Sequence, residues 1–199
     1  VRAVAPDAEM LYMHPIKAQS DMRLALERYG IRVMALDHED EIAKILRIVR
    51  ALDLDPGSIT IFVRLQTKGH AAYELSKKFG AAPAHAVELL QRCHKIGFKV
   101  GLCFHVGSQI EDPETYERAL ASADWVRNRA DVPLAGLNWF FDHAETISER
   151  SIDRIAALGG GVAVQHRMAY QGEYFVERYG AGAAEATPPI KRMLEKGVN

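Results

Sequence analysis

Two hydrophobic regimes alternate along the chain. Short, nearly continuous apolar runs predict strands at residues 9–14 (EMLYMH), 32–36 (RVMAL), 59–65 (ITIFVRL), 98–105 (FKVGLCFH), 133–142 (PLAGLNWFFD) and 162–166. Between them apolar residues recur with a period near 3.6, which predicts helices. These fall at 20–29, 39–52, 70–79, 84–96, 114–130 and 148–158, with two further pieces at 173–179 and 188–196. Punctuation supports the boundaries. Gly30 follows the first helix, Asp55-Pro56-Gly57-Ser58 forms a turn, Gly80 and Pro83 divide two helical stretches, Pro113 opens the helix at 114, and Gly159-Gly160-Gly161 caps the helix before it. Val106-Gly107-Ser108-Gln109 reads as the exit loop of the fourth strand.

Strands alternating with helices point to parallel βαβ units. Near-continuous apolar strands are what a parallel sheet covered on both faces requires. The expected fold is therefore α/β, a TIM-barrel-like (β/α)n domain with about six parallel strands over residues 1–199. A seventh strand would follow if residues 1–4 join. A closed eight-stranded barrel needs more, so the barrel is expected to be partial or completed by oligomerisation.

Composition narrows the function class. Apolar residues make up 48% and charged residues 26% of the 199 positions, which is globular rather than disordered. Twenty-five basic residues against 26 acidic leave a net charge of −1, so there is no electrostatic case for nucleic acid or an anionic membrane surface. Cys93 and Cys103 are too few for a disulfide framework and fit a reducing compartment. No apolar run reaches the ~18 residues that span a bilayer, and the first residues lack a signal-peptide layout. The expected location is the cytoplasm.

In folds of this class ligands sit at the carboxyl ends of the strands. Those exits carry His14 and Lys17, Asp37, Arg64, His105 and Ser108, His143 and Glu145, and Gln165 and His166. Such a rim suits a phosphate, a carboxylate or a metal ion, although loop ends of barrel-like folds are polar in any case. His105 could stack on a flat heteroaromatic ligand while the following Gly and Ser donate to a phosphate; the alternative is a plain Gly-Ser turn after a core strand. His143 could ligate a metal with a carboxylate orienting its ring, but it has no HxH or HxxxH companion.

Six motifs then occur in a recognisable order: YMHPIK (12–17), RVMALD (32–37), FVRL (62–65), LSKKFG (75–80), FHVGSQ (104–109) and DPETY (112–116). Through them residues 1–138 resemble the barrel domain of the fold-III decarboxylases dependent on pyridoxal phosphate, the ornithine/lysine/diaminopimelate group. The resemblance implies that His105 stacks on the pyridine ring, Ser108 contacts the phosphate and Arg64 lies beside the cofactor. Together with His14, these residues would hold pyridoxal phosphate, or phosphate or sulfate, weakly and non-covalently. The family's cofactor-bearing lysine sits on its first barrel strand, and no lysine here matches it. After LAGLN (134–138) the family continues into a Gly-rich phosphate loop, where this chain has Trp139-Phe140-Phe141-Asp142. The glutamate that pairs with the pyridinium nitrogen and the family's second domain are also unmatched.

Residues 139–199 resemble a different group, the metal-dependent amidohydrolases of the imidazolonepropionase-like or YtcJ-like kind, with His143 matching a metal ligand. A change of resemblance inside one strand reads as a chimera, engineered or artificial, without native catalytic activity. Covalent pyridoxal chemistry needs a lysine amine, and metal-assisted hydrolysis needs about three protein ligands. Two alternatives stand beside that expectation: a residual binder of pyridoxal phosphate or phosphate, and a working decarboxylase completed by a partner chain. Open sheet edges predict a homodimer or higher assembly. Lys17 is the lysine to watch for adventitious imine formation.

Overall fold

The computed structural model describes residues 6–7, 9–67, 71–73, 78–106, 108–110, 114–135, 140–142, 147–157, 161–164, 172–185 and 187–198. The chain divides into two compact units, Val1–Leu137 and Asn138–Asn199.

The first unit is a partial (β/α) barrel. Strands β1 (Leu11–Tyr12), β2 (Val33–Leu36), β3 (Thr60–Leu65) and β5 (Lys99–Phe104) form one parallel sheet in the order β1-β2-β3-β5. Register aligns Leu11 with Val33, Val33 with Thr60, and Thr60 with Lys99, so the four strands exit at one end. Beyond β5 the sheet gains a parallel bridge from Val100 to Leu134, and the Ala135 amide donates to the Val100 carbonyl (2.7 Å).

Helices α1 (Gln19–Glu27), α2 (Glu39–Ala51), α3 (Pro83–Ile96) and α4 (Glu114–Ala130) connect these strands. Each forms for local reasons as well as for its apolar stripe. Helix α2 starts on His38, whose Nδ1 accepts from the Asp40 amide, and carries Glu39, Asp40 and Glu41 in its first turn, where the helix dipole favours negative charge. Helix α3 ends on Gly97 at φ +105°, the left-handed position that glycine takes without a Cβ penalty. Ile42, Ile45 and Val49 of α2 and Ala86, Leu89, Leu90 and Cys93 of α3 close over the sheet residues Met34, Leu36, Ile61, Val63, Val100 and Leu102. At ~1.5–3 kcal/mol for each large aliphatic side chain fully buried, this core holds the strand exits in place.

Two sequence expectations fail here. Residues 70–79 were expected to be helical, but Ala71–Tyr73 is strand β4. Residues 106–109 were expected to be a loop, but Ser108–Ile110 is strand β6. The two pair antiparallel, with Ala71 opposite Ile110 and Tyr73 opposite Ser108. A hydrogen-bonding partner more than thirty residues away overrides a helical apolar period.

In the second unit, β7 (Phe140–Asp142) and β8 (Gly161–Ala163) pair in parallel across helix α5 (Glu149–Ala157). Helices α6 (Gly172–Tyr179), α7 (Ala181–Glu185) and α8 (Ile190–Glu195) follow. Ile152, Ile155, Met193 and Val198 form its small core. Arg192 Nε to Glu149 (2.8 Å) and Lys196 Nζ to Asp153 (2.6 Å) tie the α8 region to α5. The predicted fifth strand is described only at its ends, and Gly159 and Gly160 lie outside the described residues.

Candidate functional site at the strand exits

The exits of β1, β2, β3 and β5 bring His14, Lys17, Asp37, Arg64 and His105 to one end of the sheet. Arg64 is opposite Cys103 in register, and His105 is two residues farther along that neighbouring strand. Both are half-buried. The Thr67 hydroxyl, itself buried, donates to the His105 carbonyl (2.8 Å) and fixes the exit of β5 against that of β3.

Residues 78–81 fold back along this end. The Ala81 amide donates to the Arg64 carbonyl (2.8 Å), and the Gln66 amide donates to the Ala81 carbonyl (2.9 Å). The Gly80 amide donates to Asp37 Oδ2 (2.7 Å). Gly80 has φ +101°, and a Cβ there would lie 2.6 Å from the Gln66 nitrogen, so only glycine allows this approach. The fold-back places the Phe79 ring between two predicted site residues. His14 meets it edge-on at 5.5 Å and 78°, and the Arg64 guanidinium lies 5.3 Å from its centroid. Phe79 also lines a cleft of about 510 Å3 with Ile16, Asp37, Glu41, Gln66 and Gly80, whereas Arg64 and His105 are not among the lining residues. The geometric cleft and the imidazole–guanidinium pair are therefore neighbours sharing Phe79, not one cavity.

Lys17 is turned inward. Its ammonium donates to the carbonyls of His14 (3.0 Å), Pro15 (3.2 Å) and Ala35 (2.5 Å) and faces Glu41 at 3.5 Å. Lys44 also pairs with Glu41. Burial lowers the Lys17 pKa below its ordinary value, with Glu41 opposing the shift. An amine held this way joins β1, β2 and α2, and it is poorly placed to attack an aldehyde.

Of the other predicted site residues, Ser108 opens β6 opposite Tyr73. His143, Glu145, Gln165 and His166 lie outside the described residues. Among the described residues no group of three or more His, Cys, Asp or Glu side chains is placed to hold a metal ion. Sequence reasoning missed Phe79 and the Asp37–Gly80 clamp; the aromatic residue immediately before Gly80 was the available signal.

The family model for the pyridoxal-dependent decarboxylases, pyridoxal binding domain, matches residues 1–138. The chain belongs to this family. It is 33% identical to the decarboxylase flvG of Aspergillus flavus over 68% of this chain and 29% of that protein. It is 32% identical to the lysine/ornithine decarboxylase of Selenomonas ruminantium over 79% of this chain and 34% of that protein. The crystal structure of the arginine decarboxylase of Paramecium bursaria Chlorella virus bound to agmatine shares the fold, with a TM-score of 0.58 at 23% identity over 72% of this chain and 39% of that one. The chain thus spans about a third of the length of the curated relatives it matches.

These relatives overturn the expectation of an engineered or artificial chimera without native activity. They are named decarboxylases, and the family match runs through all six motifs. The match ends at residue 138, and nothing in the comparisons supports an amidohydrolase origin for the remainder. No helix among the described residues is long and apolar enough to cross a membrane.

The described residues fit part of what pyridoxal phosphate requires. A flat ring needs a face to stack on and the phosphate needs cationic or N–H donors, and His105 and Arg64 are side chains of those two kinds at adjacent strand exits. Covalent attachment needs an accessible amine. Lys17, the lysine at these exits that the sequence singled out, does not fit that role.

Proposed function

We propose that this chain is the cofactor-holding part of a pyridoxal-phosphate-dependent decarboxylase acting on an amino acid with a basic side chain. The juxtaposition of Arg64 and His105 at adjacent parallel exits, inside the residues matched by the family model, carries the reading. The substrate class is taken from the names of the relatives, which cover lysine, ornithine and arginine. When bound, pyridoxal phosphate supplies the conjugated electron sink for decarboxylation. His105 supplies a stacking face, Arg64 and Ser108 supply contacts for anionic oxygens, and His14 flanks them. Thr67 holds the β5 exit and keeps His105 in register with Arg64. The lysine that anchors the cofactor comes from outside the residues named here, from a partner chain in the reading we favour.

Self-association is a separate expectation, because a second copy of this chain carries the same lysines. Among the described strands β1 has a sheet neighbour on one side only, and its Leu11 is 44% exposed. Light scattering is expected to give a dimer or larger species.

Titration calorimetry of the full chain with pyridoxal phosphate tests the binding part. Saturable binding, weakened about tenfold or more by His105→Ala and by Arg64→Ala, is expected. Absence of binding to the wild-type chain removes the proposal. Release of labelled CO2 from carboxyl-labelled ornithine, lysine or arginine, lost in Arg64→Ala, tests the catalytic part.

A further inference from the structure

Phe79 is half-buried, yet it is not among the apolar residues that pack on the main core. The backbone that follows it is nevertheless tied down. The neighbouring Gly80 amide is held by Asp37, the Leu65–Ala81 bridge runs beside it, and Gly80 admits no Cβ. Among the described residues the aromatic and cationic contacts of this ring are His14 and Arg64.

We propose that Phe79 is a positioning residue, orienting the Arg64 guanidinium and the His14 ring at the strand exits. This deepens the reading given above and rests on it for the ligand. A guanidinium on a flexible stem loses much of its freedom when it lies over an aromatic face. The preference is electrostatic, since the ring face is negative and its edge positive. The same ring therefore offers its π face to the cation of Arg64 and takes His14 in a T-shaped contact. On the other side of that contact, the His14 backbone carbonyl accepts from Lys17, and its Nδ1 lies 2.6 Å from the Ile16 carbonyl oxygen. Asp37 acts one step farther back, through Gly80. Ligand affinity at Arg64 is thus set in part by a residue that need not touch the ligand.

The test uses Phe79→Leu, which removes the ring, and Phe79→Tyr, which keeps it, in the full chain. Calorimetry with pyridoxal phosphate is expected to show about tenfold weaker binding for Phe79→Leu and near wild-type binding for Phe79→Tyr. In an Arg64→Ala background the same Phe79→Leu change is expected to cost less than in the wild-type background, because its action through the guanidinium is gone and only that through His14 is left. Equal losses in both backgrounds, or unaltered binding in Phe79→Leu, overturn the proposal.

Proton NMR supplies a ligand-independent readout. The His14 ring C–H signals are expected to move when the ring current of Phe79 is removed and to stay when tyrosine replaces it. If the wild-type chain binds no pyridoxal phosphate, the functional reading fails, and the His14 signals alone decide whether Phe79 sets this geometry. Unmoved signals sink it. Should Phe79→Leu not fold, Phe79→Met takes its place, and failure of both to fold would assign Phe79 to the core and refute a positioning role.

Discussion

Replacing Lys17 with methionine keeps the length and apolar stem of the side chain and deletes its ammonium. Four groups lose their partner: the carbonyls of His14, Pro15 and Ala35, and the carboxylate of Glu41. Removing one member of a buried ion pair costs ~3–5 kcal/mol, and each buried acceptor left unsatisfied costs ~1–3 kcal/mol. Two effects reduce the sum. Lys44 still pairs with Glu41, and the desolvation that lowers the Lys17 pKa is relieved when the charge is removed. A net loss of about 3 kcal/mol is expected, a large share of the ~5–15 kcal/mol that holds a typical domain. Urea denaturation followed by circular dichroism measures it, with an unchanged slope confirming that the unfolded states match. The pH dependence adds a sign test. The folded pKa lies below the ordinary 10.5, so between the two values the unfolded chain binds more protons and stability rises with pH. The penalty for burying the charge is fully present below the folded pKa and is relieved as pH climbs towards 10.5. Wild type should therefore gain on Lys17→Met over that window. A loss under 1 kcal/mol, or a gap that narrows with rising pH, refutes the reasoning.

Three further changes probe the frame around the site. Gly101→Ala would set a Cβ 2.6 Å from the ring of its register partner Phe62, which is itself buried, and is expected to cost ~1–3 kcal/mol in the same denaturation experiment. Gly80→Ala meets backbone rather than a ring and also demands a positive φ, so it should weaken ligand binding at Arg64 as well as lower the melting temperature. Burial pushes the thiols of Cys93 and Cys103 up to about 12. Neither should react with a disulfide reagent at pH 8 in the native state, and both should react once urea unfolds the chain. Rapid native labelling of Cys103 would contradict the packing of β5 against β3.

The sheet was legible in the sequence because its strands are buried on both faces. In β3 the run Ile61-Phe62-Val63 is fully apolar and fully covered, and only Arg64 interrupts the burial before Leu65. Helix 114–130 was legible to the residue, and Pro113 marks where it opens. Strands β4 and β6 were not. Each is three residues long, and each exists because the other supplies its hydrogen bonds. No window of the sequence centred on Ala71–Tyr73 contains the residues that make it a strand.

The candidate site was legible as a set of strand exits and illegible as a set of contacts. Polar residues after apolar runs located His14, Lys17, Asp37, Arg64 and His105 at one end, and that follows from parallel topology alone. What they do there depends on backbone geometry that residue types do not encode. Lys17 is exposed or buried according to where three carbonyls point, and they point at its amine. Phe79 lies against Arg64 just before Gly80, which adopts a left-handed conformation and donates its amide to Asp37. The expectation of an artificial, inactive chimera failed for a related reason. It rested on a change of resemblance within one strand and on incomplete lysine and metal-ligand sets, yet the chain spans only about a third of the relatives it matches. An inventory over a third of a scaffold measures which part of the site that third contributes. Among the described residues that part shows imidazole and guanidinium at adjacent strand exits, with the Thr67 hydroxyl on the His105 carbonyl and the Phe79 ring beside Arg64 and His14.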